Sequence, residues 1–403
     1  MEKVFVTGMG VISAIGNDVA SNLAQLKAAK TGIGKAKHFN SKYTASLNFG
    51  EVNMSNEELT VLVAERNKVG AFEDESGLSR TTLLAYLAFQ EAVEQAQLST
   101  NDLFSVDTGF ISSSTVGGMS NTDELYADAN MKGEPSEYVT SYGGGEHTLR
   151  IIKKHGIKGF TSTINTACSS SANAIMLGAR LIKAGRAKRV IVGGADSLAK
   201  YTVNGFNSLM ILSENPCKPF DTTRDGLTLG EAAGYLVLEA ESVCGEKKRL
   251  AEVTGYGNSN DAFHPSATSD EAFGPRLAME RALQSGGMES SSIDYINAHG
   301  TGTPNNDTTE MFAFNEIFDQ IPPYNSTKSF TGHTLAAAGS IEAIFSILSL
   351  QNNELYPSLN CENPITDYGT TPIHKKENKE LTNVMSNSFG FGGNCTSIIL
   401  SKA

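Results

Sequence analysis

One cysteine, Cys168, lies where a reactive nucleophile would be placed. It belongs to the run Asn165–Ser171 (Asn-Thr-Ala-Cys-Ser-Ser-Ser), which follows a strand-like stretch and leads into an amphipathic helical pattern that ends at Gly185. A cysteine at a helix N-terminus meets unpaired amides and the positive end of the helix dipole, which favour the thiolate. The same amides can hold a developing oxyanion. Small neighbours leave the sulfur open, so we expect a nucleophile with a favoured thiolate.

Two histidines occupy glycine- and threonine-rich loops farther along the chain. His299 ends a strand-like run and enters Gly300–Pro304, and His333 follows Lys328 in the run Lys-Ser-Phe-Thr-Gly-His, ahead of an apolar helix. Loops at strand ends are where functional groups are often placed. A single histidine in such a loop is more often structural, so each becomes a candidate only in combination with the other segments.

A fourth segment, Ser388–Cys395, reads Ser-Phe-Gly-Phe-Gly-Gly-Asn-Cys and precedes a strand-like run. Its three glycines and two phenylalanines predict a loop whose backbone approaches another part of the molecule closely. Taken alone, the segment would be a turn.

The elements that must position these residues alternate between short apolar runs and longer amphipathic runs, which predicts an α/β fold. After Arg249 the pattern starts again, so we expect two α/β halves, residues 1–249 and 250–403, related by pseudo-symmetry. The polar stretch 120–147 is expected to leave the core. The predicted strands are 4–8, 108–113, 189–194, 234–239, 250–257, 293–299 and 396–400, and the predicted helices are 81–96, 168–185, 275–284 and 340–351.

Composition excludes several classes of function. The chain has 403 residues, 40% hydrophobic, and a net charge of −12, which argues against nucleic-acid binding because phosphate contacts need a basic face. Its five cysteines form no CxxC pair, so we expect neither a disulfide framework nor a metal site, and a reducing, cytoplasmic setting. No stretch has the length of a signal peptide or of a membrane span, so none is expected.

Taken in order, the four segments resemble the elongating β-ketoacyl-[acyl carrier protein] synthases of the thiolase-like superfamily. Two further runs, Asp221–Gly226 and Gly230–Glu239, are similar to the same family, and the resemblance extends from Val4 to Gly393. It implies a thiolase-like five-layer αβαβα core with two pseudo-symmetric halves, usually in a dimer. It also implies an acyl carrier protein as partner, which supplies phosphopantetheine, with no cofactor bound by the chain itself.

The resemblance implies the following reaction. Cys168 takes an acyl chain from the carrier protein as a thioester. His299 and His333 then assist the decarboxylation of a malonyl thioester and stabilise the resulting enolate, which attacks the acyl chain and gives a 3-ketoacyl product. The backbone N–H groups of Cys168 and Phe391 would form the oxyanion hole for acyl transfer. Two imidazole N–H donors in a dry site suit this charge, which develops on a thioester oxygen.

Other residues receive supporting roles from the same resemblance. Lys328 is expected to pair with Glu342 and to order the site, and Phe391 resembles a gating residue that admits the second substrate. The residues expected to bind substrate are Thr301 and Thr303, at the pantetheine arm, and Phe206 and Val116, which line or border the acyl pocket.

The sequence also departs from the family pattern. Asn394 and Cys395 stand where Thr-Asn is common, so the hydrogen bonding of this loop is expected to differ. No basic residue follows Phe206 closely, so Arg66, Lys68 and Arg80 are the hypothesised docking residues for the carrier protein. These departures suggest polyketide or polyene assembly. The alternatives are a thiolase-type enzyme that uses coenzyme A, and a ketosynthase subunit that needs a chain-length-factor paralogue as partner.

Overall fold

The computed structural model describes residues 2–66, 78–131 and 133–403. Within these residues, ten strands form one large sheet and two short strands, β9 and β10, form a separate ribbon. The strands are β1 (Val4–Ser13), β2 (Thr108–Ser113), β3 (Thr161–Ile164), β4 (Arg189–Asp196), β5 (Ala232–Ala240), β6 (Ala251–Asn260), β7 (Tyr295–Asn297), β8 (Tyr324–Asn325), β9 (Glu354–Leu355), β10 (Glu377–Asn378), β11 (Asn383–Phe389) and β12 (Asn394–Ser401).

Helices cover both faces of the large sheet. Those in the described part of the chain are α1 (Val19–Lys27), α2 (Asn56–Arg66), α3 (Arg80–Gln95), α4 (Thr100–Phe104), α5 (Thr122–Met131), α6 (Glu146–His155), α7 (Ser170–Lys183), α8 (Lys200–Ser208), α9 (Glu241–Cys244), α10 (Phe273–Gly286), α11 (Pro304–Ile317), α12 (Lys328–Thr331) and α13 (Ala338–Asn352).

The strand order is the same on both sides of the junction between β1 and β6. Outward from this junction the first five strands are β1, β5, β4, β2 and β3, and the second five are β6, β12, β11, β7 and β8. In each set the two inner pairs are antiparallel and the two outer pairs are parallel. At the junction itself, only Phe5 with Glu252 and Val6 with Ala251 are paired. One topology therefore occurs twice.

The same repetition is visible where a helix packs on the first strand of each half. A Cβ added to Gly10 of β1 would lie 2.1 Å from the carbonyl oxygen of Ala88 in α3, and one added to Gly257 of β6 would lie 2.1 Å from that of Ala278 in α10. Glycine is required at these two strand positions because the helix backbone lies directly on the strand backbone.

Two helices, α7 and α13, lie between the two halves of the sheet. Each contacts strands of both halves, and their side chains share one apolar cluster with residues of β1, β4, β5, β6 and β12. Helix α3 packs on the other face of the first half, and α10 packs on the other face of the second half, in separate apolar clusters. The layers are therefore α, β, α, β and α, and the thiolase-like αβαβα prediction is confirmed.

The segment Leu335–Asn352, which contains α13, is long and apolar enough to cross a membrane, but 89% of it is buried inside the fold. A helix enclosed by two sheets must be apolar on all sides, so its position in the core explains its composition. No other helix in the described ranges is both long enough and apolar enough to cross a membrane.

Candidate active site

Cys168 lies in a sharp turn between β3 and α7. Ala167 has a positive φ of 54°, and Ser169 is the N-cap residue of α7. The N–H of Ser170 donates to the carbonyl of Ala167 at 3.1 Å, which closes the turn. A non-glycine residue in the left-handed region is strained, and such strain is concentrated at functional sites. The prediction that Cys168 lies at a helix N-terminus agrees with this geometry.

The thiol of Cys168 is less open than its small neighbours in sequence indicate. The residue is 5% exposed, and burial raises the pKa of its thiol to about 11. The charge of Lys328 and the backbone N–H groups of Phe391 and Cys168 itself lower this pKa, but by less than burial raises it. The expectation of an open sulfur with a favoured thiolate is therefore wrong, because other segments of the chain enclose the turn and remove water from the sulfur.

The structure brings Cys168, His299 and His333 together. The cysteine sulfur and one ring nitrogen of each histidine all lie within 4.8 Å of one another. The two imidazole rings are nearly perpendicular, with centroids 5.4 Å apart. All three side chains are buried and line one cavity of about 280 Å³. The sulfur therefore has two imidazoles beside it in a space that can admit a thioester.

Hydrogen bonds determine which ring nitrogen of each histidine carries the proton. The N–H of Leu335 donates to Nδ1 of His333 at 3.1 Å, and the ammonium of Lys328 lies 3.3 Å from Nδ1 of His299. Because both Nδ1 atoms accept, each neutral ring carries its proton on Nε2. Burial, followed by the charge of Lys328, holds the pKa of both imidazoles well below the usual range. Both histidines are thus neutral Nε2–H donors.

Lys328 forms a buried ion pair with Glu342, as predicted. Both side chains are almost completely buried, and the ammonium also donates to the carbonyl of His299 at 2.6 Å. Burial raises the pKa of Glu342 to about 7, although the charge of Lys328 opposes this shift. The pair fixes the ammonium against His299 and so orients that ring.

Sequence reasoning missed Glu310, which holds the loop that carries His299. The N–H groups of His299 and Gly300 donate to the two carboxylate oxygens of Glu310, each at 2.8 Å. Burial raises the pKa of Glu310 to about 7, and the two backbone donors oppose the shift. No local signal marked Glu310, because it is one of three acidic residues in α11, with Asp307 and Glu316.

Phe391 lies in the glycine loop before β12 and stacks on Phe206 of α8. The ring centroids are 5.6 Å apart and the planes differ by 18°. Gly392 and Gly393 both have a φ of 81°, which side chains rarely adopt, so the loop depends on glycine there. Both phenylalanines line the 280 Å³ cavity and a second cavity of about 380 Å³. The stacked pair therefore separates two spaces that meet at Cys168.

The predicted substrate-binding residues divide between these spaces. Thr301 and Thr303 line the first cavity, and their hydroxyl oxygens are 2.8 Å apart. Val116 lines neither cavity: it is 1% exposed and packs in the apolar cluster behind the second one. Its neighbours Thr115 and Met119 line the second cavity instead. Val116 thus borders the cavity but does not line it.

The hypothesised docking residues are only partly accessible. Arg80 is buried, and its guanidinium pairs with Glu231 at 2.6 Å, so it is unavailable to a partner and the hypothesis is wrong for this residue. Arg66 is half-buried at the end of α2, and Lys68 lies outside the described residues.

Two family models match the chain. The model for "Beta-ketoacyl synthase, N-terminal domain" matches residues 1–243, and the model for "Beta-ketoacyl synthase, C-terminal domain" matches residues 250–362. Together they include Cys168, His299, His333, Lys328 and Glu342.

Similar full-length proteins agree with these matches. The chain is 32% identical over 418 aligned positions to 3-oxoacyl-[acyl-carrier-protein] synthase 2 of Staphylococcus aureus strain N315, with 100% of this chain and 98% of that protein covered. The solved ishigamide ketosynthase/chain length factor has a TM-score of 0.91 at 27% identity, with coverage of 100% and 99%. The ketosynthase ApeO, solved with its chain length factor ApeC from Xenorhabdus doucetiae, has a TM-score of 0.85 at 31% identity, with coverage of 100% and 98%. The chain therefore belongs to the β-ketoacyl synthase family.

Proposed function

We propose that the chain joins an acyl group on Cys168 to a two-carbon unit from a malonyl thioester on an acyl carrier protein, and so makes a 3-ketoacyl thioester. One observation carries this proposal: two neutral imidazoles, with protons on Nε2, lie beside a buried cysteine sulfur. This arrangement suits a reaction that needs both a nucleophile and two donors for an enolate oxygen.

The first step is acyl transfer to Cys168. Its sulfur attacks the carbonyl carbon of the acyl thioester, the bond from that carbon to the pantetheine sulfur breaks, and the pantetheine sulfur takes up the proton that Cys168 gives up. The N–H groups of Cys168 and Phe391, which both face the cysteine sulfur, would donate to the thioester oxygen during the attack. Transfer of the proton within a dry site avoids the cost of a buried free thiolate.

The second step is decarboxylation of the malonyl thioester. Its carboxylate leaves as carbon dioxide, and the electron pair of the broken carbon–carbon bond forms an enolate whose oxygen accepts from the Nε2–H groups of His299 and His333. The enolate carbon then attacks the carbonyl carbon of the Cys168 thioester, the bond from that carbon to the cysteine sulfur breaks, and the thiolate that leaves takes up a proton from bulk solvent as the product departs. Neutral donors suit this step because they stabilise the charge that develops on the enolate oxygen. They do so without an ion pair that would hold the leaving carboxylate in its charged form.

The supporting residues follow from the same scheme. Lys328 and Glu342 orient His299, and Thr301 and Thr303 contact the pantetheine arm that the carrier protein brings. The phosphopantetheine group is thus part of the partner. In this scheme residues 1–249 supply the nucleophile, and residues 250–403 supply the histidines and the lysine.

A dimer is part of the proposal, with a second copy of this chain as the first partner and a chain-length-factor-like paralogue as the second. Large apolar side chains in the wall of the second cavity are exposed: Tyr201 is 66% exposed and Leu209 is 47% exposed. Apolar groups of this size at the wall of an acyl cavity favour cover by a partner chain. The five cysteines are all unpaired, which favours a reducing, cytoplasmic setting.

Intact-protein mass spectrometry tests the proposal. The chain is incubated with acyl carrier proteins that bear acyl groups of several lengths, and its mass is recorded before any malonyl carrier protein is added. We expect an acyl adduct on the wild type and on Cys244→Ala, whose buried cysteine is remote from the site, but none on Cys168→Ala. Labelling by acetyl coenzyme A without labelling by any carrier protein would instead favour the thiolase-type alternative.

A further inference from the structure

The side chain of Asn394 connects the glycine loop to the turn that carries Cys168. Its Oδ1 atom accepts from the hydroxyl of Ser169 at 2.7 Å, from Nδ2 of Asn173 at 2.8 Å and from Nδ2 of Asn258 at 3.0 Å. Ser169 follows the nucleophile directly, and Asn173 lies in the first turn of α7. One amide oxygen therefore holds the start of α7 against the start of β12.

The backbones of the loop and of the turn are also in direct contact. A Cβ added to Gly390 would lie 2.7 Å from the carbonyl oxygen of Thr166 and 3.2 Å from the N–H nitrogen of Cys168. The N–H of Gly390 donates to the carbonyl of Asn394 at 2.7 Å. The loop is thus closed on itself by Asn394, which is also the residue that binds the nucleophile turn.

This connection affects the two groups that face the cysteine sulfur. The N–H of Cys168 belongs to the turn and the N–H of Phe391 belongs to the loop, so the distance between them depends on how the two segments are held together. No backbone ladder connects them: β3 and β12 are at different places in the sheet. We propose that Asn394 is a positioning residue that sets the spacing of these two N–H donors, an inference that rests on the proposed condensation.

The proposal separates the two half-reactions. Acyl transfer to Cys168 uses the two N–H groups, whereas decarboxylation of the malonyl thioester uses His299 and His333, which Lys328 and the N–H of Leu335 hold from another direction. Loss of the Asn394 amide should therefore slow acylation and leave decarboxylation nearly unchanged. A residue with a merely structural role would affect both half-reactions alike.

The test compares Asn394→Ala and Ser169→Ala with a matched control, Asn22→Ala. Asn22 is fully buried and makes three hydrogen bonds around the start of α1, away from the site. For each variant we would measure the rate constant of Cys168 acylation by acyl carrier protein, the rate of carbon dioxide release from malonyl carrier protein, and the melting temperature.

We expect Asn394→Ala to slow acylation by about 10- to 100-fold, which is less than complete removal of an oxyanion donor, with carbon dioxide release within about 3-fold of the wild type. Ser169→Ala should slow acylation by about 3- to 10-fold. The double variant should lose less than the product of the two effects, because both changes remove the Ser169–Asn394 bond, although the Ser169 hydroxyl also lies 2.8 Å from the carbonyl oxygen of Thr166. Asn22→Ala should lower the melting temperature and leave both rates unchanged.

Two results would overturn the inference: equal losses in both half-reactions of Asn394→Ala, or unchanged acylation in folded Asn394→Ala and Ser169→Ala. If Asn394→Ala does not fold, Ser169→Ala alone decides by the same criterion. Failure of the proposed function is a different result, because the wild type would then show no acylation at all.

Discussion

In each half of the sheet a loop follows the second strand in chain order, which is β2 or β7. Backbone N–H groups of this loop donate to a buried carboxylate. After β2 the N–H of Val116 lies 2.9 Å from an oxygen of Asp196, and after β7 those of His299 and Gly300 each lie 2.8 Å from Glu310. Burial raises the pKa of both carboxyl groups. The structural device is shared, but only the second loop presents a histidine.

The segment after the third strand in chain order, β3 or β8, shows the same division of functional groups between the halves. The segment after β3 carries Cys168 into α7, and the segment after β8 carries Lys328 and His333 into α13. Helices α7 and α13 are neighbours in the central layer, where Gly339 lies against Ala172. Cys168 and His333, which follow equivalent strands, therefore line the same cavity from the two halves. In the proposed reaction, the repeated topology therefore supplies the nucleophile from one copy and hydrogen-bond donors from the other.

The largest expected effect would separate these two contributions. His333→Ala and His299→Ala should each reduce carbon dioxide release from malonyl carrier protein by about 1000-fold, because each removes one of two donors to the enolate oxygen. Acylation of Cys168 should remain within a few-fold of the wild type, since its donors are backbone groups. Parallel assays of carbon dioxide and of the acyl adduct would check this. Equal losses in both assays would show that the halves do not divide the chemistry.

The next prediction concerns one buried ion pair of the first half, Arg80 with Glu231. Arg80→Met leaves the carboxylate of Glu231 buried with the N–H groups of Val52 and Leu198 but without its guanidinium. We expect a loss of about 3 kcal/mol in the free energy of unfolding, measured by urea denaturation.

The control for Arg80→Met is the double variant Arg80→Met/Glu231→Gln, which removes the unpaired charge and should recover part of this loss. Carrier-protein binding and both half-reactions should stay unchanged, in contrast to changes at the Lys328–Glu342 pair of the second half. A fall in carrier-protein affinity for folded Arg80→Met would instead restore the docking hypothesis.

A third prediction compares the two contacts between a strand and its outer helix. Gly10→Ala and Gly257→Ala should each lower the free energy of unfolding by about 2 kcal/mol, because the added methyl would overlap the helix backbone by a similar amount in both halves. Gly34→Ala, where the added atom meets nothing within 4 Å, is the matched control. A large loss at only one of the two sites would show that the halves differ in packing although their topology is the same.

The sequence was sufficient for several of the elements, and the structure brings the predicted Cys168, His299 and His333 together around one cavity. Helix α3 was expected at 81–96 and runs from Arg80 to Gln95, and α10 was expected at 275–284 and runs from Phe273 to Gly286. Helical spacing of apolar residues is a local property, so it is visible in sequence. The order of the cysteine, histidine and glycine segments carried the resemblance to the family.

What the sequence missed depends on contacts between distant segments. Arg80 was taken for a docking residue, but its partner Glu231 is 151 positions away. The pKa of Cys168 was expected to be low because of its helix N-terminus, but burial of the sulfur by other segments has the larger effect. The role of Glu310 was missed because backbone donors in a loop leave no pattern in sequence.

The smallest expected effect concerns a pair of equivalent residues with opposite charge. Glu91 of α3 accepts from the N–H of Val11 on β1 at 2.9 Å and from that of Val19 at 2.8 Å, whereas Arg281 of α10 donates to the carbonyl of Asn258 on β6 at 2.6 Å. Burial raises the pKa of Glu91 to about 7, and the charge of Asp18 adds to the shift, while the two backbone donors and Arg66 oppose it. The first half therefore has a carboxyl group with a raised pKa at this contact, and the second half has a guanidinium there.

Because the pKa of Glu91 is higher in the fold than in the unfolded chain, the fold binds this proton more tightly. Its contribution to stability is complete below the usual value of 4.5 and is lost as the pH rises through about 7.

Glu91→Gln should remove this loss. Between about pH 5 and pH 8, the unfolding free energy of the wild type should fall by about 1 kcal/mol more than that of the variant, once partial solvent exposure is allowed for. Arg281→Gln, which removes the positive charge at the equivalent position, should leave the slope unchanged, and urea denaturation at several pH values would measure all three proteins. Equal slopes of unfolding free energy against pH for the wild type and Glu91→Gln would show that Glu91 adds nothing to the pH dependence of stability. The opposite charges of the two halves would then make no difference to it.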